Sequence, residues 1–160
     1  MDVAAAKITE GLLGIRKRTH AQTVIVGAAI LEQTLLDALI AKMQPLSKTL
    51  KDRLFEGYGP LNSFSSKVDL SYALHIITKD IYDDLTTIRK IRNAFAHSVS
   101  LINFDSREIR ALFKRFTTMP VGETDYSKYY MSKLVDIDRH LNDFIAATTG
   151  AWDKLLSRLP

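Results

Sequence analysis

The sequence predicts an all-α fold, a helical bundle with long core helices and short accessory helices. Apolar residues recur every three or four positions through most of the 160 residues, the spacing that places them on one side of a helix. No segment sustains the apolar–polar alternation of a strand. Strong turn signals at Pro45 and at Gly57-Tyr58-Gly59-Pro60 separate long segments by short connections, and such an arrangement is typical of a bundle.

Composition predicts one helical domain over residues 1–160, because a chain of this length can bury roughly two-thirds of its unfolded surface. Hydrophobic residues make up 46% and charged residues 25%, as in ordinary soluble globular proteins. The absence of cysteine excludes a disulfide framework and thiolate chemistry and fits the cytoplasm. We expect no signal peptide and no membrane span, since the apolar stretch 24–40 is interrupted by Glu32, Gln33 and Asp37.

The first half of the chain predicts four helices. The first covers about residues 3–17, and Thr19-His20-Ala21-Gln22 fits a capping box that opens a long helix to about Met43. Pro45 ends that helix, and residues 46–55 form a short one. A fourth helix begins at Ser66, or as early as Ser63, and runs to about residue 77.

The second half predicts three more helices. Thr78 and Asp80 start a helix that ends near His97, and residues 105–108 resemble another capping box before a short helix. A final helix covers about 125–157, with Gly150 as a point where it kinks or breaks. Its seam keeps a 4–3 spacing for more than three heptads, which predicts bundle packing; the seam is Tyr130, Leu134, Ile137, Leu141, Phe144, Thr148, Ala151 and Leu155. The spine is predicted to be 19–43, 78–97 and 125–157.

Two opposite charges interrupt apolar seams. In the Thr78 helix the spacing of Ile81, Leu85, Ile88 and Phe95 places Arg92 in the seam. In the helix to Met43, Glu32 lies between apolar residues of one face, which are Ile25, Ala29, Leu36, Leu39 and Met43. A guanidinium is rarely buried without a partner.

We therefore predict a structural polar cluster of Glu32, Asp69 and Arg92. In it Arg92 is largely buried and bonded to a carboxylate, with Glu32 the first choice, since each charge alone is costly to bury. Asp69 and Asp37 are the other candidate partners.

The segment Arg92–His97 admits a chemical interpretation as well as a structural one. A general acid/base histidine beside an arginine that stabilises phosphate charge is sufficient for RNA cleavage without a metal. On a continuous helix, however, Arg92 and His97 lie about 140° apart. They converge only if the helix loosens near Ala96 or if they meet across a dimer. We predict no metal site and no cofactor, because His20, His75 and His140 lack metal-ligand spacing.

A basic region covers residues 89–115, with seven basic residues against two acidic ones. Arg107, Arg110 and Lys114 fall on one side of the predicted short helix, as a solvated face or as a contact for nucleic acid. A helix–turn–helix is not evident, because residues 99–104 separate that helix from the preceding one. We therefore expect weak, sequence-indifferent DNA binding at most.

Several motifs between Gly59 and His97 carry a resemblance. They are Gly59-Pro60-Leu61, a serine-rich helix start, Tyr72-Ala73-Leu74, Ile76-Ile77, Tyr82-Asp83-Asp84 and Arg89 through His97. Together they resemble the mannitol operon repressor family of bacterial proteins. The resemblance implies an all-helical cytoplasmic transcriptional regulator. Because no DNA-reading element is recognisable, it implies regulation through a protein partner.

The ending from Arg92 to His97 is also similar to the HEPN superfamily, whose active members are metal-independent ribonucleases that work as dimers. That resemblance implies His97 as acid/base, Arg92 as the phosphate-stabilising group and Asn93 as the accompanying polar residue. Many HEPN toxins follow the histidine with an x-Tyr step, whereas Ser98-Val99 follow here. Our first hypothesis is a non-enzymatic regulator, and the ribonuclease is the alternative.

We also predict a homodimer. The seam of the last helix continues past Phe144, and Trp152 and Leu156 lie on an adjoining stripe. Uncovered apolar area of this kind usually marks a contact surface, and a twofold dimer is the commonest way to bury it. The last helix or the segment from Phe95 to Val99 is the expected contact.

Overall fold

The computed structural model describes the backbone of residues 3–43, 45–98 and 102–156 and the side chains of residues 19–43, 45–98 and 102–151. These ranges contain six helices and no strand, so the all-α prediction is confirmed. The helices are α1 (Val3–Lys42), α2 (Lys48–Phe55), α3 (Phe64–Ala73), α4 (Lys79–His97), α5 (Arg107–Phe113) and α6 (Tyr126–Leu156).

Helices α1 and α6 run in the same direction along each other. Gly27 lies so close to Leu134 that an added Cβ would clash with the leucine Cδ1. Further along both helices, the Thr34 hydroxyl donates to Asp138 Oδ1 at 2.7 Å. Residue numbers rise together at the two contacts, which makes the helices parallel. A glycine in a helix interior costs up to about 1 kcal/mol relative to alanine, and here it allows this close approach.

Helix α4 runs antiparallel to α6. His140 Nε2 donates to the carbonyl of Ile76, just before α4 begins, whereas Asp84 in α4 lies beside Lys133. Helix α3 packs against α1 and α4, and the short α5 packs against α4. The predicted spine of three long helices is therefore confirmed.

The predicted break in the first long helix is wrong. Helix α1 is unbroken from Val3 to Lys42, and the Thr23 hydroxyl donates to the Thr19 carbonyl, the i−4 pattern of a helix interior. A threonine followed three residues later by glutamine satisfies free N–H groups only where a helix starts. The segment around Thr19 contains good helix formers and neither proline nor glycine, so nothing stops the preceding turns from continuing.

The buried face of α1 also differs from the predicted face. Ile25 is 41% exposed and Ala29 is exposed, while Leu39 is fully buried as predicted. The buried residues are Val24, Ala28, Leu31, Leu35, Ala38 and Leu39. Residues 24–40 are apolar on most sides of the helix, so periodicity alone could not select the face, and a shift of one residue rotates it by about 100°.

Most predicted helix starts and ends are confirmed. The side chains of Ser47, Ser63 and Thr78 each accept a hydrogen bond from the N–H three residues on, as N-caps do. Helix α3 thus takes the earlier of its two predicted starts, although it ends at Ala73 rather than near 77. Helix α6 continues through Gly150 without a break.

The predicted capping box at residues 105–108 is wrong by one residue. Ser106 is the N-cap of α5, and its hydroxyl makes no capping bond. It interacts instead with Asn103, accepting from the Asn103 N–H at 3.0 Å and donating to the Asn103 Oδ1 at 3.3 Å. Ile109, Phe113 and Phe116 of this segment lie in the core.

An aromatic core joins α4, α5 and α6. The ring of Phe104 contacts the rings of Phe95, Phe113 and Tyr130 at centroid distances between 5.4 and 5.7 Å. His20 stacks on the same phenylalanine at 4.7 Å and accepts a hydrogen bond from its N–H at 3.4 Å. Burial of these rings against one another fixes the loop before α5 onto the long helices.

The segment Thr19–Lys42 is long and apolar enough to cross a membrane, by length and composition alone. The core helix of a globular protein passes the same test, and Val24, Leu31 and Leu35 in this segment are at most 1% exposed. About a third of this apolar segment is buried, and the buried residues belong to the core of the bundle.

Tyr130 has a buried hydroxyl, and replacement by phenylalanine should therefore preserve or raise stability. The residue is 0% exposed, and its hydroxyl has no hydrogen-bond partner in the described part of the chain. Burial also raises the pKa of the phenol above its ordinary value near 10. We expect Tyr130→Phe to gain up to about 1–3 kcal/mol, the desolvation cost of an unpaired buried polar group, as measured by urea unfolding at neutral pH.

The same variant should change the alkaline limb of the stability curve. A folded-state pKa above the unfolded one means that stability is complete below about pH 10 and is lost as pH rises further. Tyr130→Phe should lose less stability over that range. The control is Tyr58→Phe, which should leave the stability curve unchanged because Tyr58 is fully exposed. A loss of more than about 2 kcal/mol in Tyr130→Phe at neutral pH would contradict the absence of a partner.

Candidate functional site

The carboxyl-terminal half of α4 contains the arginine motif, and its seam passes through Ile91 rather than Arg92. Ile91 is 0% exposed, whereas Arg92 is half-buried. Among the described residues Arg92 makes no ion pair, and its Nη1 donates to Asn93 Oδ1 at 3.2 Å. The predicted pairing of Arg92 with Glu32 is wrong, and the physical reason is again one residue of register, which turns the guanidinium about 100° away from the buried stripe.

The other proposed partners of Arg92 are engaged elsewhere. Asp69 accepts a hydrogen bond from the Tyr82 hydroxyl at 3.0 Å, and this bond is the main reason that the pKa of Tyr82 is raised. Asp37 accepts from Gln33 at 3.1 Å, one turn earlier on the exposed side of α1. The predicted cluster of Glu32, Asp69 and Arg92 is therefore not assembled.

The helix geometry keeps Arg92 and His97 apart. Helix α4 is continuous through His97, and Ser98 is its extended C-cap. The loosening near Ala96 that would bring the two side chains together is absent, so about 140° of helix rotation separates them. His97 is exposed and Asn93 is half-buried. One chain does not place these three groups around a single reacting atom.

Glu32 is paired with a lysine from α3. Lys67 Nζ donates to Glu32 Oε1 at 2.7 Å and to the Asn62 carbonyl at 2.8 Å. The lysine side chain is 7% exposed and the glutamate side chain 26%. We call this contact the Glu32–Lys67 pair. It joins α1 to α3 and to the turn that precedes α3.

That turn is held in place by its own backbone contacts. Leu61 N–H donates to the Leu54 carbonyl at 2.9 Å, and the Asn62 side chain donates to the Gly57 carbonyl at 2.6 Å. At Gly59 an added Cβ would lie 2.6 Å from the Leu54 oxygen, so only glycine fits. The Gly-Pro-Leu segment therefore positions the carbonyl that Lys67 binds.

A second buried charge pair joins α4 to α6. Asp84 is 3% exposed, and its Oδ2 accepts from Lys133 Nζ at 2.6 Å. The Thr117 N–H donates to Asp84 Oδ1 at 2.9 Å, and the Thr117 hydroxyl lies 3.1 and 3.2 Å from the two carboxylate oxygens. We call Asp84, Thr117, Thr118 and Lys133 the Asp84 cluster.

Both the ammonium group and the aliphatic side chain of Lys133 contribute to this cluster. Its Nζ also donates to Thr118 Oγ1 at 2.7 Å and lies 6.0 Å from the ring centroids of Phe116 and Tyr129. A lysine can bury its aliphatic stem along aromatic surface while its ammonium meets a carboxylate. Both oxygens of the carboxylate are occupied, so the cluster is suited to holding helices in register and not to transferring protons.

Sequence reasoning missed these two lysines and Asp84, although a signal was present. Asp84 is three residues after Ile81 and four before Ile88, the spacing of the buried seam. Lys67 is three residues after Phe64, on the buried side of α3. A charge at a core position could have been found by counting every seam position. Which opposite charge it meets depends on tertiary contacts that spacing does not contain.

The predicted nucleic-acid face is partly engaged with the protein itself. Arg107, Arg110 and Lys114 are exposed as predicted. Arg110 pairs with Asp105 at 3.6 Å, and its guanidinium carbon lies 5.4 Å from the centroid of the Tyr126 ring. Helix α5 is seven residues long and is preceded by non-helical residues 102–106. In the described ranges, no group of three or more histidine, aspartate or glutamate side chains could hold a metal ion.

One of the comparisons with known proteins identifies a family. A family model described as mannitol repressor matches residues 19–141, a region that contains both the Glu32–Lys67 pair and the Asp84 cluster. No curated protein matches the chain in sequence. The fold is similar to a chain in the X-ray structure of the MtlR–HPr complex from Escherichia coli, with 19% identity, a TM-score of 0.54, and coverage of 81% of this chain and 89% of that one.

Breaking one partner of the Asp84 cluster should strongly destabilise the fold. Asp84→Asn or Lys133→Met leaves the other charge buried without compensation, and each should lower the free energy of unfolding by about 3–5 kcal/mol. The double variant Asp84→Asn/Lys133→Met should lose clearly less than the sum of the two losses. Urea unfolding of the four proteins gives this cycle.

The matched control is the exposed pair of Lys79 and Asp83, whose side chains are 59% and 41% exposed. Lys79→Met should cost no more than about 1 kcal/mol, because water screens an exposed pair. Additive losses in the Asp84–Lys133 cycle, or single losses no larger than the control, would show that the buried pair does not hold the bundle.

Proposed function

This chain belongs to the mannitol repressor family, and we propose that it regulates transcription by binding a protein partner rather than by reading DNA itself. The observation that carries the proposal is the match of the family model to residues 19–141, which include the described parts of the packed core. The family model does not match a separate appendage but the elements that the Glu32–Lys67 pair and the Asp84 cluster hold together.

An HPr protein is the partner that we propose. The support is the chain of similar fold in a complex with HPr, of which this chain covers 89%. The architecture is also suited to protein recognition, because long packed helices present broad rigid surfaces that change little on binding. Zero cysteines fit the reducing compartment in which we propose that it acts, the cytoplasm.

Direct DNA reading is not part of the proposal. A recognition helix normally follows a first helix through a short turn and enters the major groove, whereas α5 follows non-helical residues 102–106. Its exposed basic residues Arg107, Arg110 and Lys114 support only attraction to phosphate, which carries no sequence information.

Ribonuclease activity is likewise not proposed for one chain. Metal-free cleavage needs the acid/base group and the phosphate-binding group around one phosphodiester. The continuity of α4 holds Arg92 and His97 on different sides. A catalytic centre with Asn93 as accompanying residue would need these groups to come from two copies.

We still propose a homodimer, but Phe95 is not part of its contact surface. Phe95 is 8% exposed and contacts Phe104, so it is committed to the core and offers little to a second copy. The Trp152 and Leu156 side chains of the predicted stripe lie outside the described residues, as does Val99.

The function is tested by measuring two affinities with one preparation. We expect the protein to bind the HPr of its own bacterium in calorimetry, with a dissociation constant on the order of micromolar, typical of a transient regulatory contact. Binding to mannitol-operon promoter DNA should be weak, equal for a scrambled sequence, and lost as salt rises from about 50 to 200 mM.

The control is the triple variant Arg107→Glu/Arg110→Glu/Lys114→Glu. It should abolish the residual DNA binding and leave the HPr affinity within about twofold, since exposed positions rarely affect the fold. A nanomolar, sequence-specific complex with the promoter at physiological salt would refute regulation through a partner. Failure to bind HPr at about 100 µM would reject HPr as that partner.

A further inference from the structure

A polar cavity lies where α1, the loop before α5 and the start of α6 meet. Its volume is about 210 Å³, below the roughly 300 Å³ at which pockets for drug-sized ligands begin. Its walls are His20 of α1, Phe104 and Asp105 of the loop, and residues 124–127 around the start of α6. The cavity therefore has room for one small molecule, and its walls include no residue of the Glu32–Lys67 pair or of the Asp84 cluster.

The α1 wall of the cavity is tied to the loop before α5. His20 is only 7% exposed, its ring stacks on Phe104 at 4.7 Å, and its Nδ1 accepts the Phe104 N–H at 3.4 Å. The next residue of the loop, Asp105, donates its N–H to Asn103 Oδ1 at 2.9 Å. Contacts within the protein therefore form this wall before any ligand arrives.

The opposite wall is the capped start of α6. Asp125 Oδ1 accepts the Lys128 N–H at 3.0 Å, and the Asp125 N–H donates to Glu123 Oε1 at 2.8 Å. Asp125 thus occupies the position in which an anion would bind at a helix N-terminus. The hydroxyls of Thr124 and Ser127, which line the cavity, make no hydrogen bond within the part of the chain that the structure describes.

The charges at the cavity disfavour anionic ligands. Two carboxylates, those of Asp105 and Asp125, line it. Arg110 lies at its edge, 3.6 Å from Asp105 and 5.4 Å from the centroid of the Tyr126 ring. A phosphorylated or carboxylated ligand would therefore meet two carboxylates, of which Arg110 compensates one.

The polar groups of the cavity fit a ligand whose own groups both donate and accept hydrogen bonds. Carboxylate oxygens only accept, whereas the hydroxyls of Thr124 and Ser127 do both. An ammonium ion only donates, so it would satisfy the carboxylates and leave the two hydroxyl hydrogens without an acceptor. A ligand hydroxyl can donate to a carboxylate and accept from a serine or threonine at the same time. The Tyr126 ring adds apolar surface for carbon atoms.

We propose that this cavity binds a small, neutral, polyhydroxylated molecule, a polyol or a monosaccharide. Asp105 and Asp125 accept hydrogen bonds from its hydroxyls, and Thr124 and Ser127 donate to them. Tyr126 contacts its carbon backbone. The site goes beyond regulation through a protein partner, because binding HPr requires no small ligand, and the experiments below use the chain alone.

An NMR titration of the full chain tests the ligand class. Raising D-mannitol to about 50 mM should shift the amides of Phe104, Asp105 and Ser127 in a saturable way, with a dissociation constant on the order of 1 mM, as expected for so small a molecule in an open cavity. The amide of Lys51, exposed on α2, should not move. D-sorbitol and D-glucose represent the rest of the class. Absence of saturable shifts with all three would overturn the proposal.

Charged analogues separate the neutral class from its alternatives. The phosphate monoester of D-mannitol should bind at least about tenfold more weakly than D-mannitol, because it brings a negative charge to the two carboxylates. Ethanolamine, which carries an ammonium group, should also bind at least about tenfold more weakly. Equal or tighter binding of either compound would overturn the assigned class.

Substitution of Ser127 tests the position of the site. Ser127→Val replaces a hydroxyl of the cavity wall by a methyl group and should weaken D-mannitol binding at least about tenfold. The matched control is Ser132→Val on the exposed side of the same helix, which should leave the dissociation constant within about twofold. Circular dichroism checks that both variants fold. An unchanged dissociation constant in Ser127→Val would overturn this placement.

A second variant keeps the test independent of the fold of α6. Asp105 is exposed, so Asp105→Asn should remain folded. It should weaken D-mannitol binding and strengthen binding of the phosphate monoester, because it removes one negative charge and releases Arg110. The matched control is Asp136→Asn, since Asp136 forms a similar exposed pair with Arg139 at 3.3 Å. If Asp105→Asn changed neither affinity, the role of this carboxylate in ligand selection would be refuted.

Discussion

A carboxylate buried among packed helices must have all its hydrogen bonds supplied by the protein, and Asp84 imposes this requirement on three segments at once. Lys133 from α6 donates to Oδ2, and Thr117 from the segment after α5 donates to Oδ1. Moving α4 by one residue would rotate Asp84 out of reach of both. The relative position of α4, α6 and the segment between α5 and α6 therefore depends on this one side chain.

The Glu32–Lys67 pair imposes a similar requirement on the other side of the bundle. Lys67 needs a carboxylate from α1 and a carbonyl from the turn before α3. That turn has its shape because Gly59 fits against the Leu54 carbonyl. A buried ion pair is weak evidence for extra stability, since desolvation offsets much of its attraction. Its value here is specificity, because it selects one way of packing long helices that are apolar on several sides.

Helix identity and position could be predicted from the sequence because local signals determine them. The starts predicted at Ser63 and Thr78 are true caps, and the seam of α6 is buried from Tyr130 to Leu141. The signals failed where only tertiary context decides. Thr19 has a cap pattern inside a continuous helix. Helical spacing cannot decide which of the neighbours Ile91 and Arg92 is buried. The partner of Glu32 depends on how α3 packs.

A rigid frame of this kind explains how a protein without a recognisable DNA-reading element can regulate transcription. The frame keeps charge inside saturated clusters and leaves broad helix faces available to other proteins. The motif that resembled a catalytic centre is part of that frame, because α4 remains helical through His97. Under the function that we propose, the outer faces of the long helices are the surfaces that contact a partner, and the buried pairs determine which residues form those faces.

We expect Asp84 to bind the segment after α5 to the core as firmly as the helices bind each other. Native-state amide hydrogen exchange at Thr117 tests it most directly, because Thr117 is an exposed residue whose N–H donates to the buried carboxylate at 2.9 Å. We expect this amide to exchange only through global unfolding, as slowly as the amide of Ile88 in α4. Exchange of Thr117 as fast as that of the fully exposed Val121 would contradict it.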